Sequence, residues 1–197
     1  FAIQNFLMEN NIDLNQEISF ETFKKQVLED YRLIVTSREA SLLGRREVLN
    51  GKAKFGIFGD GKELPQIALS KVFQKGDYRS GYYRDQTFMM SIKELTVKQL
   101  FSGLYANTDI NEEPMSAGRQ MGAHFNTPFL NKDGTWKNLI DLKNSSSDVS
   151  CTGSQMPRLL GLAQASKLYR KLKIKNSSKF SNNGNEIAWG TIGNAST

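Results

Sequence analysis

Apolar side chains recur at helical spacing through Phe20, Phe23, Val27, Tyr31 and Ile34, which predicts a long amphipathic helix. Ser19 can cap its start, Glu21 suits its first turn and Gly51 ends the run, with Gly44 the one place where it would break. Ahead of it, Phe1, Ile3, Phe6, Leu7 and Ile12 stand among polar residues, the pattern of a short arm packed on a neighbour. A Gly-rich loop with Gly56, Gly59 and Gly61 then feeds a second helix. In that helix Pro65 belongs to the first turn, Glu63 favours the positive N-terminus, and Ile67, Ala68, Val72 and Phe73 form the inner side before Gly76. The aromatic run from Tyr78 to Arg84 reads as the end of a strand, and Val97, Leu100, Phe101 and Leu104 mark a helix over residues 96–106. Residues 107–148 lose all periodicity and carry a turn at Lys132-Asp133-Gly134; so long a loop in a compact domain points to function or disorder. A helix opening at Pro157 follows, in which Gly161, Ala163 and Ala165 let it approach a neighbour closely and basic Lys167, Arg170 and Lys171 suit its C-terminal end. A polar connection leads into EIAWGTIGNAST, a short buried strand closing on a Gly-Asn turn. Strands alternating with helices predict an α/β, doubly wound domain, in which ligands bind at the carboxyl ends of the strands.

Composition narrows the classes. The chain has 197 residues and a mass of 22.2 kDa, enough for one domain with a substantial core. Its net charge of +6 is spread along the chain with acids in between, so a solvated surface is favoured over a nucleic-acid groove. One cysteine, Cys151, excludes an internal disulfide, and with a single histidine it cannot assemble a Cys/His metal cluster; both facts fit a reducing cytoplasm. The start lacks the pattern of a signal peptide, and no apolar run approaches membrane-spanning length. With Phe1 at one end and a strand-like run just before Thr197 at the other, the chain reads as a piece of something larger.

The candidate chemistry lies in three places. Residues 116–126, SAGRQMGAHFN, form a loop that displays the only histidine, His124, beside Arg119 and Gln120. That histidine is either held structurally by a backbone hydrogen bond or placed for proton transfer. Tyr83 and Arg84 offer a hydroxyl and a planar guanidinium fork suited to a phosphate oxygen, the alternative being aromatic packing at a strand end. The small-residue turn before Pro157 can offer helix N–H groups to an anion. The Gly loop, by contrast, has neither GxGxxG nor P-loop spacing.

Five segments in order carry a family resemblance: GDGKELPQIAL, GDYRSGYYRDQT, GRQMGAHF, SSDVSCTGSQMPRLLGLA and the closing GNAST. Over roughly residues 20–197 the chain resembles the alpha subunit of the thiamine-diphosphate-dependent decarboxylating component of 2-oxoacid dehydrogenase complexes, of the branched-chain (2-oxoisovalerate) type. The resemblance implies an N-terminal arm and long helix over residues 1–50, and over residues 51–197 the N-terminal part of a doubly wound thiamine-diphosphate-binding domain, incomplete after the first metal-site strand. It implies that Tyr83 and Arg84 bind the diphosphate, that Ser150 and Thr152 line the aminopyrimidine end, and that Gly193, Asn194 and Ala195 form the magnesium and cofactor turn. Ser154 and Gln155 match positions that help to hold a structural potassium ion, and His124 matches the loop histidine beside the reacting carbon.

The implied activity is oxidative decarboxylation of a 2-oxoacid with reductive acylation of a lipoyl group. The implied partners are a beta subunit or fused beta half and a lipoyl-bearing acyltransferase core, with neither nucleic acid nor membrane. Departures from the family pattern are Asn194 in place of an acidic magnesium ligand, Ala195 in place of glycine, and Gln86 where many members have histidine. An amide oxygen can coordinate magnesium, though without a carboxylate's charge. The competing readings are an inactive alpha-like interaction module and a pyruvate- or acetoin-type relative.

Overall fold

The computed structural model of the protein describes residues 18–172 and 174–193. The expected arm before Ile18, and Asn194 and Ala195, lie outside the described residues. The chain divides into two units, residues 1–32 and 33–197, and the first helix, α1 (Phe20–Leu49), runs through the boundary. Its start is capped as expected, Ser19 Oγ accepting the N–H of Thr22 at 3.3 Å.

The face that α1 buries differs from the one predicted. Phe20, Phe23, Val27 and Tyr31 are exposed, Phe20 at 73%, and the buried positions are the small residues Ser37, Ala40, Ser41 and Gly44. Small side chains allow close approach to α3 (Gln86–Ser91). Ser37 Oγ lies 2.6 Å from Thr87 Oγ1, and Gln86 Nε2 donates to Ser37 O at 3.0 Å and Ser41 Oγ at 2.8 Å. Nor does Gly44 break the helix. A Cβ there would stand 2.4 Å from the Phe58 ring, so the missing side chain admits that ring and the helix continues beneath it.

The second unit is a mixed α/β structure built on a small parallel sheet. Strands β1 (Tyr78–Ser80), β2 (Asn144–Ser145) and β3 (Ala188–Gly190) lie in the order β2-β1-β3, with Arg79 opposite Ser145 on one side and Trp189 on the other. Helix α2 (Glu63–Val72) packs on α3, while α5 (Gln155–Leu172) crosses β1 and β3. Helix α4 (Val97–Leu104) opens on a full capping box, Thr96 with Gln99. The main core gathers Phe73, Phe88, Met89, Leu100 and Phe125, with Phe73 and Phe88 edge to face at 5.2 Å.

In α2 and at its end, Ile67 and Phe73 face inward as expected, whereas Ala68 and Val72 are exposed. Helix α5 begins two residues before Pro157, and it makes no close approach at Gly161 or Ala163, which are exposed, a Cβ at Gly161 meeting nothing within 4 Å; the turn predicted at residues 132–134 closes an isolated bridge between Leu130 and Trp136. Because the three strands are parallel, their carboxyl ends open on one side of the sheet. The chain leaves them into residues 81–85, 146–150 and 191–193, which contain Tyr83, Arg84, Ser150 and Gly193.

Candidate functional site

One buried side chain ties these three exits together. Arg79, on the central strand, is 2% exposed. Its guanidinium bonds Asp85 Oδ2 at 2.8 and 3.2 Å, Asp148 Oδ1 at 3.0 Å and Oδ2 at 3.2 Å, Ser145 Oγ at 2.6 Å and Tyr82 O at 3.1 Å. The two carboxylates reach further. Asp85 accepts the N–H of Tyr82 at 3.0 Å and the hydroxyl of Thr191, and Asp148 accepts the N–H of Phe125 at 3.1 Å. Arg79 therefore fixes the Tyr83-Arg84 turn, the residue after His124, the segment leading to Ser150 and the end of β3. Burial works against its charge, but Asp148 and Asp85 outweigh it and hold the guanidinium above its usual pKa. Burial likewise pushes the Asp148 carboxyl up, against the pull of Arg79.

Within this frame His124, Tyr83 and Ser150 come together from distant parts of the sequence. The His124 ring is 8% exposed and stacks on Tyr83, with centroids 6.0 Å apart and planes inclined by 18°. Its Nδ1 lies 3.3 Å from Gly122 O and its Nε2 lies 2.9 Å from Ser150 Oγ. A carbonyl can only accept, so the neutral ring carries its proton on Nδ1 and leaves Nε2 to accept from the Ser150 hydroxyl. Ser150 itself is exposed, so the pair joins a sheltered base to an accessible hydroxyl.

Arg84 also stands beside Tyr83. Its guanidinium carbon lies 5.8 Å from the Tyr82 ring centroid and 5.9 Å from that of Tyr83, and Tyr82 Oη donates to Tyr83 Oη at 3.2 Å. Arg84 Nε is buried and has no hydrogen-bond partner among the described residues. Arg84 also lines a cleft of about 390 Å³ with Arg45, Gly56, Phe58 and Asp60. An unpaired buried donor of a cation beside a polar cleft fits an anionic oxygen. The Gly loop makes this geometry possible, since a Cβ on Gly59 would stand 2.2 Å from the carbonyl oxygen of Arg84. The same loop is held by Glu63, which accepts the N–H of Gly61 with both oxygens at 3.0 Å, and by Gln86 Oε1, which accepts the N–H of Gly59 at 3.5 Å.

The remaining predicted residues are spread around the turn before α5. Thr152 is exposed, Ser154 Oγ donates to Cys151 O at 2.7 Å, and Gln155 Nε2 donates to Thr191 O at 2.9 Å. Ser154 Oγ and Gln155 Oε1 are oxygen donors of the kind a hard cation takes. Gly193 is buried against Tyr82, lining a cleft with Tyr82, Asp85 and Thr191. Among the described residues no group of three or more His, Cys, Asp or Glu is arranged to hold a metal, and no helix is long and apolar enough to cross a membrane.

Sequence reasoning missed Arg79, Asp85, Asp148 and Glu113. The Glu113 carboxylate accepts the N–H groups of Met115, Ser116 and Gly118 at 3.0, 2.8 and 2.9 Å and the Ser116 hydroxyl at 2.7 Å, shaping the loop that leads to His124. Burial alone would raise its pKa, and these donors together bring it below the usual carboxylate value. The available signal was a charged residue inside a three-residue strand, flanked by aspartates on both neighbouring loops. Neither a scan of known protein families nor a search of curated proteins returns a match to this chain.

Proposed function

We propose that this chain is the alpha-type region of a thiamine-diphosphate-dependent 2-oxoacid dehydrogenase acting on a branched-chain 2-oxoacid. The observation that carries the reading is Arg84, a cation with a buried unpaired Nε beside a polar cleft, next to the Tyr83–His124–Ser150 cluster. Its position beyond the carboxyl end of β1 is where an α/β sheet receives its ligand.

When bound, thiamine diphosphate supplies the carbanion chemistry that lets a 2-oxoacid lose carbon dioxide. This chain's residues bind and orient. Arg84 offers Nε to a diphosphate oxygen in a charge-assisted bond, and the Tyr83 hydroxyl adds a neighbouring donor. His124 holds its own proton on Nδ1 against Gly122 O and accepts the Ser150 proton at Nε2, so a proton can pass between the exposed hydroxyl and the sheltered ring. Ser154 and Gln155 would hold potassium through oxygen, and Asn194 would offer magnesium its amide oxygen. A beta-type subunit or fused half and a lipoyl-bearing acyltransferase core complete the proposed enzyme, in the cytoplasm.

The test is release of carbon dioxide from a branched-chain 2-oxoacid by the protein assembled with its beta-type partner. Turnover that falls at least about a hundredfold in His124→Ala supports the reading, a general acid or base being worth that much. An assembled complex without thiamine-dependent turnover of any 2-oxoacid overturns it and leaves an alpha-like interaction module.

A further inference from the structure

Between α5 and the chain around the 131–135 turn lies a cavity of about 200 Å³, lined by residues outside the site described above. Half of its wall residues are aromatic, Tyr78, Phe129, Trp136, Tyr169 and Phe180, most of the others are aliphatic, and the one charged side chain among them is Glu186. Trp136 and Phe180 meet at 5.1 Å and 82°, and Tyr78 and Phe129 at 6.4 Å and 82°, so the ring faces are turned in different directions. Tyr78 Oη donates to Phe180 O at 2.8 Å, which pins one ring to the segment carrying another. Burial, then Glu186 and Tyr169, push the Tyr78 hydroxyl well above its ordinary pKa, so it stays neutral. The Glu186 carboxylate is anchored through Oε2, which accepts the N–H of Asn182 at 3.1 Å. Trp136 is 48% exposed and leaves the cavity open to solvent.

We propose that this cavity binds a small organic cation, a quaternary or heavily alkylated ammonium group. Aromatic faces attract a cation through their quadrupole, and a carboxylate adds charge complementarity; neither attracts an anion. The walls are short of hydrogen-bond acceptors, which disfavours a primary ammonium with three N–H donors to satisfy and favours one whose nitrogen is covered by methyl groups. The lack of any Lys or Arg on the walls stands out in a chain of net charge +6.

The test is calorimetric titration with three probes: choline, its neutral isostere in which a tert-butyl group replaces trimethylammonium, and a peptide carrying trimethyl-lysine. Expected are saturable choline binding and an isostere at least about tenfold weaker. Glu186→Gln keeps the acceptor for Asn182 and the side-chain volume, and is expected to weaken choline while leaving the isostere unchanged. Tighter binding of choline than of the peptide places the cation on a free small molecule, and the reverse places it on a protein side chain; both uphold the chemistry. Equal binding of choline and its isostere, no saturable binding of any probe, or an unchanged choline affinity in Glu186→Gln overturns it.

Discussion

Arg79→Met removes the cation between Asp85 and Asp148 and strands two carboxylates in the centre of the second unit. The wild-type guanidinium makes six hydrogen bonds at 2.6–3.2 Å, to both aspartates, Ser145 and Tyr82. Removing one partner of a buried ion pair costs about 3–5 kcal/mol, a large part of the roughly 5–15 kcal/mol by which a domain is stable. The loss should depend on pH. Without the guanidinium, burial and the neighbouring Asp85 charge raise the folded pKa of Asp148 further above its unfolded value, so it binds a proton more readily in the folded state. Its contribution is then most favourable in acid and deteriorates as pH rises through the raised folded value. Urea unfolding of Arg79→Met and wild type at pH 5 and pH 8 is therefore expected to show the larger gap at pH 8. Arg79→Met combined with Asp148→Leu should recover part of the loss, because one unpaired carboxylate is gone. A cost below about 1 kcal/mol, or a gap independent of pH, would refute the reasoning.

Two further variants probe the supports of the site. Gly59→Ala drives a Cβ into the Arg84 carbonyl and is expected to cost about 1–3 kcal/mol of stability and to weaken anion binding at Arg84; calorimetry and urea unfolding check both. Glu113→Gln replaces a carboxylate whose folded pKa is depressed, so its stabilisation is present above the unfolded pKa of about 4.5 and disappears as pH falls through the depressed folded value. The variant should be about 1–3 kcal/mol less stable than wild type at pH 7, with the two converging in strong acid; a gap of the same size in acid would contradict the assignment.

How much was legible in the sequence depended on length and period. Helices α1, α4 and α5 were readable because each sustains a pattern or carries a cap, as Thr96 and Gln99 do for α4. The buried face of α1 was not, because its close contacts use Ser37, Ser41 and Gly44, which carry no hydrophobic signal. Helix α3 hides because its six residues hold only three consecutive apolar ones, Phe88 to Met90, with no visible period, and β2 is a polar Asn-Ser pair that is a strand only because Asp77 and Arg79 bond beside it. At the site, the residue types of Tyr83, Arg84 and His124 announced their chemistry. The approach of His124 to Ser150 depends on the Asp148–Phe125 bond across 23 residues, which no local pattern reveals. Arg79 looked like an ordinary basic residue until its two aspartates were placed around it.

If Arg84 binds the diphosphate of thiamine diphosphate, as proposed, calorimetric titration of that cofactor will show it. The protein, assembled with the proposed beta-type partner, is titrated with and without magnesium, as wild type and as Arg84→Ala. Expected is magnesium-dependent binding that weakens by about 3 kcal/mol, roughly a hundredfold, in Arg84→Ala. Absence of binding by the assembled protein, or equal affinity in Arg84→Ala, would contradict it.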